Sequence, residues 1–129
     1  MPNQDVEDLS KILEINKDKQ TIVEGKRDKK VLCSLNFTNV VTINKGLYET
    51  VEGLKEREVL LLTDFDSEGK QIAKKLNTLL QHLGYKVDKE TRRKIGLLFA
   101  KLRIKKIEEL RGVLYGQTCA SNFKIHNLC

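Results

Sequence analysis

The chain has 129 residues, 40% hydrophobic and 33% charged, enough for one compact domain with a heavily solvated surface. One proline and 8 glycines argue against disorder and collagen-like repeats, and 5% aromatics without tryptophan argue against an extended base-stacking platform. Lysine and arginine number 24 against 18 acids, and the net charge of +6 favours polyanionic partners.

In chain order, Val6, Leu9, Ile12 and Leu13 have the spacing of a short amphipathic helix. QTIVEG reads as a strand ended by Gly25, followed by a helix over Lys26 to Leu35 that Asn36 closes. FTNVVTIN is β-branched and short, a second strand stopped by Lys45 and Gly46, and Val51 and Leu54 place a helix after it. REVLLLTD is a nearly continuous apolar run bounded by charge, the mark of a strand buried on both faces. Ile72, Ala73, Leu76, Leu79, Leu80 and Leu83 then form a helical stripe, with Gly84 as its stop and GYKV as a fourth short strand. Residues 89–103 and 106–115 have helical periodicity broken near Ile104, and 116–129 have none and read as a flexible tail. Strand–helix alternation predicts a parallel sheet with helices on its faces.

Ligands bind such sheets beyond the carboxyl ends of the strands. There the first strand carries Glu24-Gly25 and the third Asp64-Phe65-Asp66. In an extended chain Asp64 and Asp66 point to one side, because side chains alternate. Carboxylates so placed repel one another unless a cation lies between them, and Mg²⁺ suits two carboxylates with room left for phosphate oxygens. Ser67 or Asp66 can cap the next helix, whose free N–H groups attract an anion. Gly69 lowers helix propensity there, which suggests close backbone approach to a ligand. An isolated Asp-x-Asp is more simply an N-cap beside a solvated strand end; Glu24 at the same sheet edge favours the metal reading.

TIVEGKRDKKVL resembles the first motif of Toprim domains, the catalytic module shared by type IA and type II topoisomerases, bacterial-type primases and several nucleases. LLLTDFDSEGKQIA is similar to the second, DxDxEG, and INKG resembles the glycine turn after the second strand. The resemblance covers roughly residues 20 to 88 and implies a Rossmann-like α/β Toprim fold with about four parallel strands flanked by helices, here with a helical extension at 89–115. It implies that Glu24 is a general acid or base and that Asp64 and Asp66 hold Mg²⁺, or Mn²⁺, assisted by Glu24 and Glu68. Lys26 and Asp28 match the EGKxD form of small Toprim proteins and of bacterial nucleases that mature ribosomal RNA, where the lysine meets a phosphate. Gly46, Gly69 and Lys70 are expected near the same phosphate.

The chain departs from the topoisomerase pattern at Lys70, where a further acid is usual, and Tyr48, Tyr85 and Tyr115 read as packing residues, not as a strand-cleaving tyrosine. Topoisomerase activity is not expected, and neither is autonomous primase activity. DFDSEG superficially resembles the start of haloacid-dehalogenase-type phosphatases, but that motif ends a first strand and needs Thr or Val where Glu68 stands. A response-regulator receiver has its paired acids at the first strand, and TIVEG lacks them.

Charge is uneven along the chain. Residues 1–85 hold 13 basic and 14 acidic side chains, whereas residues 86–111 hold 10 basic and 4 acidic. Arg92, Arg93, Lys101, Arg103, Lys105 and Lys106 carry much of that excess, either as a solvated helix face or as a phosphate-contacting element. Cys119, His126 and Cys129 are three soft ligands at a spacing too loose for a structural zinc site. Three cysteines make no disulfide framework, MPNQDVEDLSKIL lacks a secretory h-region, and the longest apolar stretch falls far short of the roughly 18 residues of a membrane span. A cytoplasmic setting is expected. Together these observations predict a single Toprim-like domain over 1–115 acting as a Mg²⁺-dependent nuclease on structured RNA, with RNA favoured over DNA and no membrane partner. The alternative is a non-catalytic nucleic-acid or ribonucleoprotein adaptor on the same fold.

Overall fold

A computed structural model describes residues 3–115. Helix α1 (Gln4–Asn16) starts at Asn3, whose side chain accepts the N–H groups of Asp5 and Val6. Then follow β1 (Thr21–Val23), α2 (Lys26–Ser34), β2 (Val40–Thr42), α3 (Leu47–Glu52), β3 (Glu58–Leu61), α4 (Ser67–His82), β4 (Lys86–Val87) and α5 (Lys89–Lys101). A 3₁₀ turn (Ile107–Glu109) leads into α6 (Leu110–Tyr115). The strands form one parallel sheet in the order β2-β1-β3-β4, with Ile22 opposite Val41 and Leu61, and Val59 opposite Val87.

Alternation along each strand divides the core into two layers. Val23, Leu60 and Leu62 pack with Leu9, Leu32, Ile95, Phe99, Ile107 and Leu110 on the face covered by α1, α2, α5 and α6. Ile22, Val59 and Leu61 pack with Val51, Ala73, Leu76 and Leu80 on the face covered by α3 and α4. Helix α2 lies on the first face and connects β1 outward to β2; α4 lies on the second and connects β3 outward to β4. The direction of winding therefore reverses between β1 and β3, and the crevice beyond their carboxyl ends is where such a sheet binds ligands.

Strands and helices occur in the expected order, but several are shorter than their residues suggest. The second strand is confined to Val40–Thr42, and the third stops at Leu61 although Leu62 and Thr63 remain fully buried. Helix α5 ends at Lys101 because Arg103 takes a left-handed conformation (φ 59°), and the Ile104 N–H closes back on Phe99 O. Asn36 closes α2 in the same way, with φ 71°. Tyr85 and Tyr115 pack through hydroxyls on Val51 O and Ser34 O, whereas Tyr48 is 55% exposed, contrary to its expected packing role. No helix among the described residues is long and apolar enough to cross a membrane. The 116–129 stretch, with Cys119, His126 and Cys129, lies outside the described residues.

Candidate metal centre

Glu24 leaves the end of β1 and Asp64 and Asp66 leave the end of β3, so the winding reversal brings all three to one crevice. Each offers a carboxylate oxygen, and these atoms lie within 4.8 Å of one another. Main-chain N–H groups hold each carboxylate. Glu24 Oε2 accepts the Asp64 N–H at 2.8 Å, Asp66 Oδ1 accepts the Gly69 N–H at 2.8 Å as the N-cap of α4, and Asp64 Oδ1 accepts the Ile107 N–H at 2.8 Å. Every carboxylate therefore keeps an oxygen for a further partner. The N-cap and metal readings of Asp66 are compatible, since the cap uses only one of its two oxygens.

Electrostatics favour a cation here. Burial raises the Glu24 carboxyl above the usual glutamate range, and the neighbouring charges of Asp64, Asp66 and Glu68 push it further, against the Asp64 N–H that lowers it. Burial also raises Asp64, with the Ile107 N–H and Lys106 opposing it and Asp66 and Glu108 adding to it. Asp28, at the third position of α2 and only 7% exposed, is pushed up to about 6 by burial and then by Asp64, while the Gly25 N–H lowers it. Three clustered oxygens with hard-donor chemistry fit Mg²⁺ or Mn²⁺, which take few carboxylates and retain waters.

The residues expected around this centre are placed unequally. Glu68 is exposed in the first turn of α4 and stands outside the three-carboxylate group. Lys26 is exposed at the start of α2, and Lys70 on α4. Gly46 takes φ 106° before α3. Gly69 does permit a close backbone approach, but to the protein itself: a Cβ there would lie 2.1 Å from Asp64 O. Arg93 is exposed and paired with Glu90, Arg103 is exposed in its left-handed turn, and Lys105 is exposed with its carbonyl accepting the Phe65 N–H at 2.6 Å.

Arg92 is placed differently. Its guanidinium turns inward under the crevice, donating to Leu61 O and Thr63 O at 3.0 Å and to Asp64 O at 3.3 Å, and stacks 4.4 Å from the Phe65 ring centre. Burial lowers its pKa to about 10, with Glu24 and Asp64 pulling the other way, so it remains a cation at neutral pH. Two contributors were missed as site residues by sequence reasoning: Asp28, despite its place in EGKxD, and Ile107, which acts through its main chain. Helical spacing was a usable signal for Arg92, since positions 92, 95 and 99 share a face and Ile95 and Phe99 are fully buried.

A four-stranded parallel sheet with carboxylates after its first and third strands defines a Toprim-type metal-binding domain, and the chain matches the Toprim domain family over residues 18–89. It belongs to that family. Among curated sequences, it is 50% identical over 50 residues to a UPF0292 protein of Pyrococcus abyssi and 47% identical over 53 residues to one of Thermococcus gammatolerans. Those matches cover 39% and 41% of this chain, but only 37% and 39% of the relatives' own length. A solved structure of a putative protein from Aquifex aeolicus is 31% identical, with a TM-score of 0.64 over 82% of this chain and 94% of that one. Toprim domains generally bind divalent metals, and a nucleic-acid-related role is consistent with the acidic cluster.

Proposed function

We propose that the protein is a Mg²⁺-dependent nuclease acting on structured RNA. The observation that carries this reading is the convergence of Glu24, Asp64 and Asp66, with ligand atoms within 4.8 Å. Asp64 and Asp66 hold the metal, with Glu24 beside them. A divalent cation held there would offset charge on the phosphate and lower the pKa of water. Water attacks the phosphorus, the P–O bond to the leaving oxygen breaks, Glu24 takes the proton that the water loses, and solvent water protonates the leaving oxygen. Burial and the neighbouring carboxylates raise the Glu24 pKa, which makes it a stronger proton acceptor than an ordinary glutamate. The EGKxD form of the first motif favours RNA, with Lys26 on a phosphate.

A groove of about 380 Å³ between α4 and α5 offers a path for the nucleic-acid backbone. Lys70, Lys74, Lys89 and Arg93 line it above Leu61 and Val87. Lysines there bind phosphates without reading sequence. The test is cleavage of labelled RNA and DNA by wild type and Glu24→Gln with Mg²⁺ or Mn²⁺. Wild type should cleave RNA, and the variant should fold yet lose on the order of 10²-fold in rate. Metal-dependent binding without cleavage in wild type would instead establish the adaptor alternative.

A further inference from the structure

We propose that the segment Lys105–Ile107, beyond the stretch that matches the Toprim family, is a positioning element that aims Asp64 at the metal; the inference rests on the metal reading above. Two hydrogen bonds with main-chain donors run in opposite directions between this segment and the loop after β3. The Ile107 N–H donates to Asp64 Oδ1 at 2.8 Å, and the Phe65 N–H donates to Lys105 O at 2.6 Å. They bracket Asp64-Phe65, so both the loop and the plane of the Asp64 carboxylate are set by residues 40 or more positions further along the chain.

The nature of the donor matters. Among three like charges, an unrestrained Asp64 side chain would rotate away from Glu24 and Asp66. A lysine or arginine holding it would neutralise the carboxylate and compete with a metal. A neutral N–H fixes one oxygen and leaves the charge in place, as partners behind metal ligands commonly do.

The segment is itself held. Arg103 turns the chain out of α5 with φ 59°, and Ile104 and Ile107 are buried at 8% and 0% exposure. Glu109 Oε1 accepts the N–H groups of Lys105 and Lys106 at 3.1 and 2.9 Å. Glu108 reaches Arg27 of α2 at 3.8 Å. The N–H that aims Asp64 thus belongs to a turn packed into the core, and cannot swing with the loop it holds.

The experiment is a Mg²⁺ titration of the ¹⁵N-labelled protein followed by amide shifts, with Mn²⁺ affinity measured for two variants. In wild type the Ile107 amide should shift along with those of Glu24, Asp64 and Asp66 and saturate at the same concentration. Ile107→Pro removes the donor at the first position of a 3₁₀ turn, after an extended Lys106 (φ −110°, ψ 142°), where proline is tolerated. Ile107→Val keeps the donor and trims the packing. Mn²⁺ binding should weaken about 10-fold in Ile107→Pro and stay within about 2-fold in Ile107→Val. Equal affinities, or an Ile107 amide that stays still while Glu24 and Asp66 respond, would overturn the inference alone. If Ile107→Pro does not fold, the wild-type titration decides. No response at any of the three carboxylates would overturn the metal reading and this inference with it.

Discussion

Residues 20–88 and residues 89–115 meet at one crevice by opposite means. The first region brings negative charge there, through Glu24, Asp64 and Asp66 at strand ends. The second brings what holds that charge in place: the Arg92 guanidinium on three carbonyls at the end of β3 and in the loop after it, the Ile107 N–H on Asp64 and the Lys105 carbonyl on the Phe65 N–H. A basic segment next to an acidic site is easily taken for a surface that faces a nucleic acid. Here adjacent arginines divide the work, with Arg92 turned inward as a structural cation and Arg93 turned outward on Glu90.

The sharpest break in that comparison is to separate the two arginines. Arg92→Ala leaves the carbonyls of Leu61, Thr63 and Asp64 without their charged donor and strips one face of Phe65, and should cost about 3 kcal/mol in urea unfolding. Arg93→Ala removes only an exposed pair and should stay within about 0.5 kcal/mol. Equal losses would mean that the inward and outward cations are not distinct.

A smaller effect is expected where the two regions face each other across the groove. Lys74→Ala with Lys89→Ala removes one cation from each side, and the slope of log K against log salt for single-stranded RNA should flatten by about 0.7 per lysine. Fluorescence anisotropy from low to moderate salt measures it, and an unchanged slope would remove the groove as the backbone path.

The smallest effect lies behind the carboxylates, at Asp28. Its folded-state pKa of about 6 lies above the ordinary 3.8, so the folded protein keeps a proton that the unfolded chain releases. Stability therefore falls as pH rises from about 4 to about 6 and stays reduced above that range. Asp28→Asn should raise Tm by a few degrees at pH 7, on the order of 1 kcal/mol, with the gain gone below about pH 4. Thermal unfolding across that pH range checks both the gain and its disappearance.

Much of the fold was legible because its signals are local. The buried run VLLL, the stripe from Ile72 to Leu83 and the left-handed Asn36 each follow from a few neighbouring residues. The three carboxylates were legible for a related reason: parallel strands send their ends to one edge, so Glu24 and Asp64 meet without any knowledge of side-chain packing. What remained hidden depends on distant contacts. Ile107 looks like any core residue in sequence, since its contribution to Asp64 is a main-chain N–H that every residue except proline possesses. Arg92 was grouped with the surface charges because a count of basic residues ignores which face of α5 each occupies. The length of α5 was overestimated because nothing in LRI marks Arg103 for a positive φ, a conformation more often taken by Gly or Asn.

Gly69 ties these observations together at a single oxygen. The Asp64 carbonyl accepts Arg92 on one side and lies against Gly69 on the other, while the Thr63 hydroxyl donates to Gly69 O at 2.7 Å. The first turn of α4, the strand end and the α5 guanidinium are thus clamped around one peptide group, with no room for even a methyl group between them. Asp66 caps the Gly69 N–H while the Asp64 peptide lies against the Gly69 α-carbon, so displacing the first turn of α4 disturbs the backbone behind both carboxylates.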